Sequence, residues 1–311
     1  MTKSSKSLWN GLYKNGIITL LWPFYARFSE KTSKTGKKEG LNRMKNDKLT
    51  VLGCRGSMPV SDRQYLKYGG ATSSFLLQAE GVNLLFDAGT GILKSTALLA
   101  EEKEAHLLLG HVHMDHIMGL AFWRPLFRKE KEVHIYSEKR NGMTTKEQIS
   151  RFLQAPYWPV GTELFSAASY HDITLGETFS IGGVTVKTMR ANHPDESTVF
   201  RAEWGNKAVV YALDFEHSPE ATAELAAFAK DADVLIYDST YAPDVYPQRK
   251  GWGHSTWVEG LKIKELAGVK TLLLAHHEID ADDEFLDSLQ TKLRELDKNI
   301  LLAKENMEIT L

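Results

Sequence analysis

From residue 49 onward, short apolar runs alternate with turn residues at a spacing that suits strands. The runs are LTVLG (49–53), SSFLLQA (73–79), VNLLFD (82–87), AHLLLG (105–110), EVHIYS (132–137), VTVKTM (184–189), AVVYAL (208–213), DVLIYD (233–238) and TLLLAH (271–276). Between them, 92–102, 144–153, 218–231, 256–267 and 283–297 read as helices. Ser218 supplies an N-cap ahead of Pro219, a residue favoured at the first helical position. Ser255 opens the 256–267 helix and Gly268 stops it. Strands in quick succession, followed by strand–helix alternation, predict mixed sheets flanked by helices in an α/β protein. No internal repeat or low-complexity tract interrupts this body.

The first 48 residues follow a different rule. Their apolar centre, Ile17 to Ala26, is too short to span a bilayer. It lacks the small-residue cleavage signature of a secretory signal. Pro23 would break a helix there. Lys31 to Lys48 is a polar linker, so residues 1–47 are expected to form an extension and 48–311 one domain. Trp9, Tyr13, Trp22, Phe24 and Tyr25 among lysines suit either a membrane surface or a protein partner contacted through residues 1–46. A poorly ordered extension is an equal reading.

Charge sharpens that division. Residues 1–48 hold eleven Lys/Arg against three Asp/Glu, a net of +8, which leaves 27 basic and 37 acidic residues, a net of −10, for 49–311. An acidic body of this kind repels long nucleic acid. The one cysteine, Cys54, excludes an intramolecular disulfide and a thiolate-rich zinc site. The expected location is the cytoplasm, with peripheral membrane contact as an option. A homodimer is left open.

The polar residues of greatest interest fall where the strands end. HVHMDH (111–116) follows the strand at 105–110 and places His111, His113, Asp115 and His116 within six positions. His193 follows 184–189, Asp214 follows 208–213, His276 follows 271–275, and Asp87 closes 83–86. Ligand sites favour such ends, because loops converge there on a rigid edge. Five imidazoles and two carboxylates are too many for one tetrahedral ion with an open position. They suit two divalent ions sharing a carboxylate. Zn²⁺ fits this thiolate-free donor set first, with Mn²⁺ or Fe²⁺ also acceptable.

HVHMDH resembles the HxHxDH motif of the metallo-β-lactamase superfamily. FDAGTG (86–91), NHP (192–194), YALDFEH (211–217) and LLLAHH (272–277) follow in that family's order. The resemblance runs from about residue 49 to about 290 and implies a four-layer αββα sandwich with a dinuclear metal site at one edge. By that resemblance His111, His113 and His193 would bind one ion, Asp115, His116 and His276 a second, and Asp214 would bridge them. Asp87 would orient a ligand imidazole. GCRGSMPV (53–60), YGGATSS (68–74) and GWGHST (251–256) look like the ribonuclease Z and cyclic phosphodiesterase branch. They are most similar to relatives of phosphoribosyl 1,2-cyclic phosphate hydrolase. That likeness makes His254 a proton donor near the metals without binding them.

The resemblance therefore implies a metal-dependent phosphodiesterase in which a metal-bridging hydroxide attacks a small, cyclic substrate. Asp115 would position the hydroxide and His254 would protonate the leaving oxygen. The chain lacks the Gly/Pro-rich arm of long ribonuclease Z proteins, which argues against tRNA. Several cyclic phosphodiesterase relatives carry extra cysteine or histidine ligands for a structural zinc, and no comparable cluster is expected in this chain, with its one cysteine. Two rivals use the same residues: a lactonase or thioesterase, and a nucleotide-binding regulator without turnover. Outside the motifs, Arg55 and Ser57 are candidate phosphate donors, and His217 is a candidate neighbour of the site. Tyr157 and Trp158 read as core before pocket wall, and His106, His134 and His171 as surface or core histidines.

Overall fold

The computed structural model describes residues 47–311, so the expectations placed on residues 1–46 lie outside the described residues. Fourteen strands form two sheets among them. The first sheet draws on β1 (Lys48–Gly53), β2 (Ser74–Ala79), β3 (Val82–Phe86), β4 (Glu104–Leu108), β5 (Glu132–Glu138), β6 (Ala168–Ile173) and β14 (Glu308–Thr310). Its order is β14-β1-β2-β3-β4-β5-β6. The second uses β7 (Thr178–Ile181), β8 (Val184–Arg190), β9 (Thr198–Trp204), β10 (Lys207–Ala212), β11 (Val234–Asp238), β12 (Thr271–Ala275) and β13 (Ile300–Leu302), in the order β13-β12-β11-β10-β9-β8-β7.

Period-two alternation assigns each apolar residue to a layer. In β10, Val209 and Tyr211 enter the core between the sheets, while Val210 and Ala212 face outward. In β2, Phe75 and Leu77 point inward and Leu76 outward. The outer face of the second sheet packs on α4 (Pro219–Phe228), α5 (Trp257–Ala267) and α6 (Asp283–Leu296) through Leu225, Ile263, Leu286 and Leu293. The outer face of the first sheet carries the short α1 (Ser95–Leu98) and α2 (Met114–Ile117) and the longer α3 (Thr145–Phe152), with Ile117, Ile149, Trp123 and Leu126 buried. Three apolar layers between four structural layers make the expected αββα sandwich.

Strand direction decides where the strand ends meet. β8 and β10 both run antiparallel to β9, and β10, β11 and β12 are mutually parallel. The C-terminal ends of β8, β10, β11 and β12 therefore share one edge. β3 and β4 are likewise parallel, which brings Asp87 beside the start of HVHMDH.

Several local expectations need correction. Residues 92–102 form no long helix: a 3-10 turn at Thr90–Lys94 runs into the four-residue α1. Thr256, not Ser255, caps α5, accepting from Glu259 N at 3.4 Å. Strands β6, β7, β9, β13 and β14 were not anticipated. β9 is joined to β10 by a two-residue turn, Gly205–Asn206, between the paired Trp204 and Lys207. Gly205 has φ +53°, the left-handed backbone that such hairpin turns require. β6 and β7 end their sheets and are too polar to read as apolar runs. Among the described residues no helix is long and apolar enough to cross a membrane.

Truncating Leu77, fully buried between the sheets, to alanine is expected to cost about 2–5 kcal/mol in chemical denaturation. The same change at Leu66, 75% exposed, should stay within about 0.5 kcal/mol.

Candidate metal centre

The seven side chains singled out at strand ends converge on one edge. Ligand atoms of His111, His113, His193 and Asp214 lie within 4.8 Å of one another, and so do those of Asp115, His116 and His276. Asp214 stands between the groups. Its Oδ1 lies 3.5 Å from His111 Nε2 and 3.7 Å from His193 Nε2. Its Oδ2 lies 2.9 Å from His116 Nε2 and 3.3 Å from His276 Nε2. Asp115 Oδ2 completes the second group, 3.2 Å from both His116 Nε2 and His276 Nε2.

Backbone conformation turns these side chains inward. Asp87, Asp214 and His276 directly follow β3, follow β10 after Leu213, and directly follow β12, with φ of +55°, +51° and +63°. Each such departure costs about 1–3 kcal/mol, so the packing around it must hold it in place. Glycine clears space for two of the rings. A Cβ on Gly56 would sit 2.4 Å from His276 Nδ1, and one on Gly253 would sit 2.2 Å from His193 Cδ2.

Outer partners fix the second nitrogen of most rings. Asp87 Oδ2 accepts from His116 Nδ1 and from the Tyr211 hydroxyl, both at 2.5 Å, while its Oδ1 accepts from Gly110 N at 2.7 Å. His276 Nδ1 pairs with Thr240 Oγ1 at 2.9 Å. His113 Nε2 meets Asp195 at 3.0 Å, leaving Nδ1 for the cluster. Such partners set the tautomer and aim the free nitrogen at a shared point.

The donor set fits divalent cations. Both ring nitrogens of His111 are buried and have no hydrogen-bond partner. Polar atoms left unpaired in the interior cost about 1–3 kcal/mol each, which a cation at their focus would offset. Burial holds His111 well below the usual histidine range and His193 down at about 4, so both present neutral imidazole, the ligating form. Burial opposes ionisation of Asp115, yet His116 and His276 outweigh it and hold its carboxyl well below the usual range.

His254 lies beside this cluster. Its Nδ1 donates to Asp238 Oδ2 at 2.9 Å, and Asp214 Oδ1 is 3.8 Å away. Burial disfavours its charged form, but Asp238 reverses that and raises the imidazole to about 9. Cations in the adjacent ligand groups would pull it back down.

The family described as Beta-lactamase superfamily domain matches residues 82–277. The chain belongs to the beta-lactamase superfamily. A ribonuclease Z of Haloarcula marismortui is 25% identical over 84% of this chain and 96% of the relative. Among solved structures, the metallo-β-lactamase fold protein YhfI of Bacillus subtilis superposes with TM-score 0.66 at 22% identity, over 85% of this chain and 99% of that one. A diphosphatase from the PhnP family gives TM-score 0.63 at 22% identity, over 85% and 98%. The superfamily's site chemistry makes this protein a metal-dependent hydrolase that uses divalent ions.

Some residues matter that sequence reasoning passed over. Asp238 ends β11 and supports His254, Thr240 and Asp214 together, accepting from their nitrogen or hydroxyl donors at 2.8–3.0 Å. The strand-end rule that flagged Asp87 and Asp214 would have flagged it too. Glu216, buried, accepts from Gly251 N at 2.6 Å, Gly253 N at 2.9 Å and the Tyr246 hydroxyl at 3.0 Å. It thereby pins the loop that carries His254. His217 Nδ1 bonds Ser255 Oγ at 2.7 Å from the other side.

Other expectations are revised. Arg55 is fully buried and donates to the carbonyls of Gly69, Glu278 and Ala281, so it ties loops together. The backbone N–H of Ser57, rather than its hydroxyl, is what the site uses: it donates to Asp115 Oδ2 at 2.8 Å. Tyr157 is 84% exposed, whereas Trp158 packs edge-on against Phe122. His277 donates from Nε2 to Ala303 O at 2.8 Å, away from the cluster.

Replacing Asp87 by asparagine leaves His116 without its carboxylate and should weaken metal affinity about 10–100-fold. Competition with a chelator measures this directly, and an unchanged affinity would show that Asp87 does not orient His116.

Proposed function

We propose that this protein hydrolyses a small, cyclic phosphodiester at a dinuclear metal site. The observation that carries the reading is the Asp238–His254 pair set against the convergent ligand groups. A phosphodiester's departing alkoxide needs a proton, and an imidazole beside the metal cluster is placed to give one. His254 uses Nδ1 on Asp238, which leaves Nε2 as the donating atom. A carbonyl hydrolase built on the same ligands has no need of this second histidine.

In the proposed roles, His111, His113 and His193 would hold one ion, Asp115, His116 and His276 would hold the other, and Asp214 would serve both. Zn²⁺ suits imidazole and carboxylate donors without thiolate, and Mn²⁺ or Fe²⁺ share that preference. Bound ions acidify water at neutral pH and offset the charge on the phosphoryl oxygens. Asp115, fixed by the Ser57 N–H, orients the attacking water towards phosphorus. Asp238 stabilises the imidazolium of His254 until the proton leaves. Glu216 keeps Gly251 and Gly253 in place, and with them the approach of His254. The acidic body favours a compact substrate over a long nucleic acid.

Substituting His254 by alanine should lower turnover of a cyclic alkyl phosphodiester by about 10²–10⁴-fold while bound metal stays unchanged, and should affect bis-p-nitrophenyl phosphate far less, because its leaving group departs without a proton. Loss of metal along with activity would make His254 a ligand and remove its assigned role. A lactone panel hydrolysed faster than any phosphodiester would replace the reading with a carbonyl hydrolase.

A further inference from the structure

Away from the strand-end cluster, three histidines occupy a row where the binary pattern calls for apolar residues. On the face of the first sheet that turns toward the second, Leu108 of β4, Tyr136 of β5 and Ile173 of β6 are core positions. Two residues earlier on each strand, on the same face, stand His106, His134 and His171. Glu104 and Glu132 come two residues before His106 and His134 and end the series on the same face. The strands are parallel and in register, with Glu104 opposite Glu132 and His106 opposite His134.

The side chains gather into one group. His106 and His134 stack with ring centroids 4.9 Å apart. His134 Nδ1 shares a 3.0 Å hydrogen bond with His171 Nε2, and His106 Nδ1 shares one of 3.2 Å with the Tyr136 hydroxyl. Both remaining Nε2 atoms turn to one oxygen: His106 Nε2 is 3.2 Å and His134 Nε2 3.3 Å from Glu104 Oε1. Ligand atoms of Glu104, Glu132 and His134 all lie within 4.8 Å of one another. Ligands at about 2.0 Å from a tetrahedral zinc stand about 3.3 Å apart, the separation of His134 Nε2 from Glu104 Oε1.

We propose that Glu104, Glu132 and His134 form a further divalent-cation site, of the imidazole–carboxylate kind that takes Zn²⁺, with His171 orienting the His134 ring and His106 stacked against it. The site is separate from the strand-end cluster. His106 and His111 are five residues apart along extended chain, or about 16 Å. The cation would tie β4 to β5 at the ends opposite the hydrolytic edge, in a structural role. Glu104 is 54% exposed and the His134 side chain 23%, so an ion can enter from solvent.

The test compares Zn²⁺ uptake by the metal-stripped full-length protein and two variants, against a competing chromogenic chelator. Glu104→Gln combined with Glu132→Gln changes only exposed, isosteric positions, and His134→Ala removes an imidazole. Each variant should take up one equivalent fewer than the unaltered chain, with hydrolysis at saturating metal unchanged. The last equivalent should raise Tm in the unaltered chain and not in the variants. Equal uptake by all three proteins would overturn the proposal, and the double glutamine variant decides the matter should His134→Ala fail to fold. Because the readout is a difference, it stands whether or not the strand-end cluster holds two ions.

Discussion

Asp214, two residues past the end of β10, keeps both carboxylate oxygens inside the molecule, each facing a different set of imidazoles. A carboxylate in that position is expensive to bury unless charge of the opposite sign surrounds it. The rest of the site follows from this constraint. Two groups of neutral or ionised ligands approach from opposite sides, and Asp87, Thr240 and Asp195 hold their rings in orientation. The sandwich makes this affordable: apolar layers on both faces of each sheet fix the strand ends rigidly, so three left-handed residues can be tolerated where the ligands turn inward.

Much of this was legible in the residues. HVHMDH announced itself by density, and His193, Asp214 and His276 by lying just past apolar runs whose strand character was plain. The strands that escaped notice were those without such runs. β6 and β7 alternate polar and apolar residues at sheet ends, while β9 hides its hairpin behind the Gly205–Asn206 turn. Local sequence also failed on partnership. Arg55 looked like an anion donor and proved to be a buried clamp on three carbonyls from distant segments, which no neighbour in sequence foretells. Glu216 is the converse: an unremarked acid whose three donors lie 30, 35 and 37 residues away.

The two histidine assemblies show how context divides one residue type. At the strand-end edge the imidazoles are gathered by strand direction, and all but His111 have an outer partner of their own. In the row on β4, β5 and β6, register alone brings them together, and the rings lean on one another. Isolated in sequence, His106, His134 and His171 carry no motif. Only the parallel pairing of their strands makes them a cluster.

The account rests on the strand-end cluster binding two cations. Anomalous diffraction at the zinc edge, from crystals grown with Zn²⁺, tests this most directly. The account predicts two strong peaks on either side of Asp214, one among His111, His113 and His193 and the other among Asp115, His116 and His276. Density for a single ion, or peaks that avoid Asp214 altogether, would contradict it.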